Sequence, residues 1–78
     1  MARYHNQKET IKIGNQIRKL RNDALLSIDD ISDMTGFAKS TISAIENGSE
    51  TDTSHLIEIA KAIGIHPQKI FDISINIK

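Results

Sequence analysis

The sequence contains no cysteine and no tryptophan, and it has one proline, one tyrosine and two phenylalanines among 78 residues. The absence of cysteine excludes disulfides, thiolate metal sites and a cysteine nucleophile, and it suits a reducing cytosol. No apolar run approaches the length of a membrane span, and the polar start MARYHNQKET lacks the apolar centre of a signal peptide. We therefore expect a soluble, cytoplasmic protein that does not enter a membrane.

The three histidines do not form a ligand set. His5, His55 and His66 fall in three different predicted elements without the spacing of metal ligands, so we expect no metal site. Serine, histidine and aspartate are present, but nothing places them around an oxyanion hole or a cleft. The sequence predicts a non-enzyme without a cofactor, and no small-molecule ligand is evident.

Charge is balanced in total but uneven along the chain. Ten basic and ten acidic residues give a formal net charge of +0, which taken alone is evidence against a nucleic-acid binder. Residues 1–21 hold six basic side chains and one acidic, a net of +5, whereas residues 22–58 hold eight acidic side chains and only Lys39 as a cation. This distribution predicts a basic patch with a modest field and weak non-specific affinity for DNA.

The chain divides into an arm, one domain and a short tail. Residues 1–9 have no periodicity, and we interpret them as a flexible arm that either follows DNA or is simply solvated. Residues 10–72 carry helical patterns, and a chain of 78 residues is long enough for one such domain with one core.

The tail, residues 73–78, changes from the helical period to a period of two. Isoleucine occupies every second position, at Ile73, Ile75 and Ile77. A lone strand cannot satisfy its own backbone, so this segment needs a partner edge. We expect that edge to come from a second subunit in a homodimer, with the arm as the other candidate.

Five helices are predicted in the domain. They begin at Thr10, Ile28, Ala38, Ser54 and Pro67, and the first four end near residues 22–25, 35, 48 and 63. Ser27 is the predicted N-cap of helix 2, with the carboxylate of Asp30 reaching back to it. Two short helices joined by a tight turn that contains Gly36 form a helix-turn-helix unit.

The stretch from Gly36 to Gly48, GFAKSTISAIENG, carries the clearest functional signal. Read as a helix, it places Ala38, Ile42 and Ile45 on one stripe that faces a core. The opposite stripe offers one cation and small polar side chains, namely Lys39, Ser40, Ser43 and Asn47. Such side chains fit closely against another surface, so this stripe predicts a recognition helix, one that lies against another molecule.

Residues 11–71 resemble the Cro and phage-repressor type of helix-turn-helix domain, often called the XRE family. The motifs that carry the resemblance are IGNQIRKLR, SIDDISDMTG, STISAIENG and LIEIAKAIGIHPQKIF. The resemblance implies an all-α, five-helix, lambda-repressor-like domain that binds double-stranded DNA. It also implies a sequence-specific transcriptional regulator, most often a repressor, that reads a palindromic operator as a dimer.

The resemblance implies roles for individual residues as well. Glu46 matches the acid that pairs with an arginine of helix 1, and the matching arginine here is Arg21. From the chemistry of the side chains, Ser27 or the backbone N–H groups of helix 2 can hold a phosphate, and Ala38 or Ala44 can touch a thymine methyl group. The complete predicted set of DNA contacts is Ser27, Ala38, Lys39, Ser40, Thr41, Ser43, Ala44 and Asn47.

Two departures from the family pattern leave other functions open. Ile28 stands where family members often have a glutamine that contacts phosphate, and the loop Ser49–Asp52 is acidic where the family is commonly basic. One alternative, suggested by the tail that can pair across a dimer as in some antitoxins of this family, is an antitoxin that binds a toxin and represses its own operon. Another is a dimeric scaffold that no longer binds DNA. The acidic face of helix 2 is either solvated or a docking surface for a basic protein partner.

Overall fold

The computed structural model describes residues 7–73. Their helices, in chain order, are α1 (Gln7–Asp23), α2 (Ile28–Thr35), α3 (Lys39–Glu46), α4 (Thr53–Ile63) and a 3₁₀ helix (Pro67–Phe71). No β-strand of two or more residues occurs in this part of the chain. The predicted all-α class is confirmed, but the count of five α-helices is wrong because the fifth element is a 3₁₀ turn. Pro67 opens this element as predicted, but only five residues follow the helical path.

Both ends of the domain differ from the prediction. α1 begins at Gln7, so residues 7–9, which the sequence pattern assigns to the arm, are helical. They have no apolar periodicity, but the negative charge of Glu9 in the first turn stabilises the helix by its interaction with the positive end of the helix dipole. The predicted C-terminal strand is not supported at Ile73, which is not in a strand and packs against the domain core. Ile75 and Ile77 lie outside the described residues.

The start of α2 is set by a capping box. The Ser27 Oγ accepts a hydrogen bond from the backbone N–H of Asp30 at 2.9 Å, and Asp30 Oδ2 accepts one from the backbone N–H of Ser27 at 2.8 Å. These two bonds hold the pKa of Asp30 below its ordinary value, with the bond from the Ser27 backbone as the larger cause. The predicted start of α2 at Ile28 is therefore confirmed, and the two residues predicted to cap it, Ser27 and Asp30, form the cap.

The end of α1 uses leucine where glycine is usual. Leu25 has a φ of 60°, in the left-handed region, and 90% of its surface is exposed. Its N–H donates to the carbonyl of Asn22 at 3.0 Å, and the next N–H, of Leu26, donates to the carbonyl of Arg21 at 3.1 Å. This pair of bonds is the Schellman pattern, which ends the helix and reverses the chain towards α2.

One apolar core joins all five helical elements. Two isoleucines of the core belong to α3, Ile42 and Ile45, and both are buried as predicted. Ala38 is exposed and precedes α3 as its N-cap, so its predicted place on the core stripe is wrong. The complete set of buried apolar residues is Ile13, Ile17, Ile31, Ile42, Ile45, Leu56, Ile59, Ala60, Ile63 and Ile70.

Gly14 marks the closest approach of α1 to α3. A Cβ atom built on Gly14 would lie 2.6 Å from the carbonyl oxygen of Glu46 and still closer to that of Ile45. Both obstacles are backbone atoms, which cannot rotate away as a side chain does. The absence of a side chain at Gly14 therefore lets α1 cross directly against the C-terminal end of α3.

Substitution of Gly14 by alanine tests this contact. We expect Gly14→Ala to lower the free energy of unfolding by about 2 kcal/mol, because overpacking outweighs the roughly 1 kcal/mol that alanine gains as a helix former. The matched control is Asn15→Ala, at the exposed next position of the same helix, which should be neutral or slightly stabilising. Denaturant unfolding of both variants measures the difference, and equal stabilities would show that α1 and α3 are not in close contact.

Candidate nucleic-acid interface

α2, the turn at residues 36–38 and α3 form the helix-turn-helix unit. Gly36 ends α2 with a φ of 80°, and its N–H donates to the carbonyl of Ser32 at 2.8 Å. Two hydroxyls then fix the turn around Phe37: Ser32 Oγ donates to its carbonyl at 2.7 Å, and Thr35 Oγ1 accepts from its N–H at 3.1 Å. The angle between the two helices is thus set by side chains of α2.

The turn is also attached to α4. The rings of Phe37 and His55 meet edge to face, with centroids 4.9 Å apart and an interplanar angle of 69°. The His55 Nδ1 lies 3.3 Å from the Oγ1 of Thr51, which is buried. α3 therefore projects from a turn that is supported on both sides.

The outer face of α3 carries the predicted reading side chains. Lys39, Ser40 and Asn47 are exposed, as is Ala38 just before the helix. The other predicted contacts on this helix, Thr41, Ser43 and Ala44, are half-buried. Ser27 is exposed at the start of α2, but its Oγ already accepts the capping bond described above. The structure thus gathers one long cation and several short polar groups along a single surface helix.

Lys39 is paired with an acid of α2. Its Nζ lies 3.2 Å from Oδ1 of Asp29, and both side chains are mostly exposed. An exposed pair of this kind contributes at most about 1 kcal/mol, so Lys39 can exchange Asp29 for an acceptor on another molecule. Asp29 belongs to the acidic face of helix 2, and its contact with Lys39 was not predicted from the sequence.

The carboxylate of Glu46, at the end of α3, is buried and bound by Arg21 of α1. Arg21 Nε donates to Oε2 at 2.6 Å and Nη2 donates to Oε1 at 2.8 Å, while Glu46 is only 2% exposed. The hydrogen bond to Glu46 raises the pKa of Arg21, desolvation lowers it by less, and the charge of Glu46 adds to the rise. The two residues that the sequence predicts as an ion pair are therefore in direct two-point contact.

Arg21 also closes the loop that follows α1. Its Nη1 donates to the carbonyl of Leu26 at 3.0 Å and to Oδ1 of Asn22 at 3.2 Å. The same guanidinium thus holds the end of α1, the start of α2 and the end of α3. Its side chain is 11% exposed, so it faces other parts of the protein more than solvent.

Arg18 is a second arginine at this junction, and the sequence analysis missed it. Its Nε donates to Oε1 of Glu46 at 3.3 Å, and its Nη2 donates to Oδ1 of Asn47 at 2.8 Å and to the carbonyl of Glu46 at 3.4 Å. Arg18 and Arg21 are three residues apart on α1 and so share a face, which is the sequence signal that could have identified it. Two arginines surround one carboxylate, so the junction carries a surplus positive charge.

Other kinds of site are not evident in the described residues. Residues 7–73 contain no group of three histidine or acidic side chains placed to hold a metal ion. No helix among them is both long enough and apolar enough to cross a lipid bilayer.

The fold and the outer face of α3 define a DNA-binding regulator of the helix-turn-helix class. The chain belongs to the XRE-type helix-turn-helix family, whose sequence model matches residues 17–70. A search of curated proteins found no match.

The chain is also similar to a solved structure, that of the restriction-modification controller protein C.AhdI from Aeromonas hydrophila. The two share 25% sequence identity and superpose with a TM-score of 0.78, over 82% of this chain and 98% of that one.

The buried carboxylate gives a stability test of the junction. We expect Glu46→Ala to lower the free energy of unfolding by about 3 kcal/mol, because it leaves the largely buried Arg21 without its partner. The matched control is Glu58→Ala on α4, where an exposed glutamate lies 3.4 Å from Lys61, and its removal should change stability by about 0.5 kcal/mol or less. Thermal or denaturant unfolding compares the two, and similar losses would contradict a structural role for Glu46.

Proposed function

We propose that this protein is a sequence-specific transcriptional regulator. It binds a palindromic operator as a homodimer and represses transcription from the promoter that contains this operator. The observation that carries the proposal is the outer face of α3, which presents Lys39, Ser40 and Ser43. The C-terminal end of this helix is held against α1 by the Arg21–Glu46 ion pair. In a helix-turn-helix protein, the second helix of the unit lies in the major groove with its N-terminal residues at the base edges. α3 has that position in the unit.

The side chains of α3 suggest how bases are read. Lys39 can donate to O6 and N7 of guanine once it leaves Asp29, and this contact is specific for a G·C pair. Ser40 and Ser43 donate to or accept from several bases, so they discriminate weakly. With only one strong reader on the helix, we expect DNA shape to supply part of the selectivity.

Phosphate contacts would position α3 in the groove. Asn47 is exposed at the C-terminal end of α3, next to the surplus charge of Arg18. Ser27, at the start of α2, lies where a first-helix phosphate contact is made in this class of domain. Since the net charge of the chain is +0, binding depends on these local contacts more than on a general attraction.

The homodimer places two copies of α3 on one face of the duplex. A two-fold axis between the subunits requires a palindromic site with half-sites roughly 34 Å apart, one turn of the helix. Binding of both half-sites over a promoter would exclude the transcription machinery, and this is the basis for the proposed repression.

The similarity to a controller protein favours a regulator over an antitoxin. That protein is matched over 98% of its own length, so a protein named as a controller consists almost entirely of this domain. The antitoxin alternative rested on a tail that pairs across the dimer, and most of that tail lies outside the described residues.

Selection of bound duplexes from a random library tests the proposal. We expect one enriched palindrome for the purified protein and a loss of about ten- to a hundredfold in affinity for it on Lys39→Ala, since a base contact of this kind contributes about 1–3 kcal/mol. Ser43→Ala should relax the preference at one position. Lys61→Ala, which removes an exposed lysine from α4, is the matched control and should leave the selected sequence unchanged.

The outcome that would contradict the proposal is equally definite. If Lys39→Ala and Ser43→Ala both gave the wild-type motif with wild-type affinity, α3 would not contact the bases. If no sequence were enriched for the wild type, the protein would not be a sequence-specific regulator.

Truncation after Ile73 tests the proposed dimer. Removal of residues 74–78 leaves Ile73 in its contact with the core, so the truncated domain should still fold and unfold cooperatively. We expect sedimentation to shift from dimer to monomer, because the remaining chain lacks the proposed pairing segment. A truncated chain that still sediments as a dimer would show that the subunits associate through another surface.

A further inference from the structure

The junction of α1 and α3 contains more positive charge than its carboxylate requires. Arg21 takes both oxygens of Glu46 and is almost buried, so it suffices to neutralise the acid. Arg18 has only a longer contact of 3.3 Å with the same carboxylate, and its side chain is 43% exposed. Its shortest contact, at 2.8 Å, is with the side-chain oxygen of Asn47. The position of Arg18 therefore needs an explanation other than pairing with Glu46.

We propose that Arg18 is a positioning residue for DNA binding: it fixes the side-chain amide of Asn47 so that the N–H groups of that amide face a phosphate of the duplex. The inference rests on the proposed function and adds to it a residue outside the helix-turn-helix unit. Arg18 belongs to α1, which the reading of the bases does not involve.

The chemistry of the two side chains determines the orientation. A guanidinium has only donors, whereas an asparagine amide has an acceptor at one end and two donors at the other. The bond from Arg18 therefore requires the oxygen of Asn47 to face inward, and the Nδ2 donors point elsewhere. Phosphate oxygens only accept hydrogen bonds, so the outward end of the amide is the end that matches them.

The guanidinium of Arg18 is itself held in place. It donates to the carboxylate of Glu46, to the backbone carbonyl of Glu46 and to Asn47, which are contacts on three different groups. Three fixed contacts prevent rotation of the planar group, so the amide is oriented before DNA arrives.

The test is a double-mutant cycle with the operator selected above. Arg18→Lys keeps the positive charge but removes the planar guanidinium with its several directed donors. It therefore separates the orientation of Asn47 from the electrostatic attraction of a cation to DNA. We expect Arg18→Lys and Asn47→Ala each to weaken operator binding about tenfold, through the loss of one charge-assisted hydrogen bond. The double variant should bind no more weakly than either single variant. Wild-type affinity for Arg18→Lys, or losses that multiply in the double variant, would overturn the inference.

A second measurement uses the protein without DNA. We expect the Nδ2 group of Asn47 to be rigid by ¹⁵N relaxation in the wild type and mobile in Arg18→Lys, with the unfolding temperature little changed. Equal mobility in both proteins would overturn the positioning role. A wild-type protein that bound no duplex would instead overturn the proposed function and, with it, the inference. The two failures are therefore distinguishable.

Discussion

The arrangement of this domain depends on one buried carboxylate. Glu46 is removed from water at the end of α3, and a buried charge is tolerated only when a partner and hydrogen bonds compensate for its lost hydration. Arg21 supplies both from α1, and it can do so only if the two helices cross where they do. Because Arg21 also donates to the carbonyl of Leu26, it attaches the loop that leads into α2 to the same junction. The helix-turn-helix unit is thus attached to α1 at both of its ends.

This arrangement explains how a chain with no net charge presents a surface suited to DNA. Two acids of the helix-turn-helix unit already have partners within the protein: Glu46 is buried between arginines, and Asp30 is bonded within the cap of α2. Asp29 neutralises Lys39 only while that lysine has no other acceptor. Pairing of this kind weakens attraction to arbitrary DNA and leaves specific contacts as the main source of affinity. The balanced charge of the chain is therefore compatible with binding to DNA.

Sequence patterns predicted those features that are encoded locally. The start of α2 follows from Ser27 and Asp30, which cap it directly, and the burial of Ile42 and Ile45 in α3 follows from helical periodicity. The start of α1 could not be predicted because its first turn has no apolar residue. The Arg21–Glu46 contact was inferred from the family resemblance, whereas Arg18 was missed because its partners lie 28 and 29 residues away. The spacing of Arg18 and Arg21 places them on one face of α1, but the partners of Arg18 are defined only when the two helices pack together.

The lack of a side chain at Gly14 has a consequence for how the orientation of α3 can change. Where backbone meets backbone there is no compressible layer, so any displacement of α1 is transmitted to α3 almost without loss. α1 and α3 therefore move together as one rigid unit. Substitutions on the far side of α1 would then change the direction of α3 without replacing any residue of α3 itself. The orientation of the helix-turn-helix unit can thus vary through residues that lie outside it.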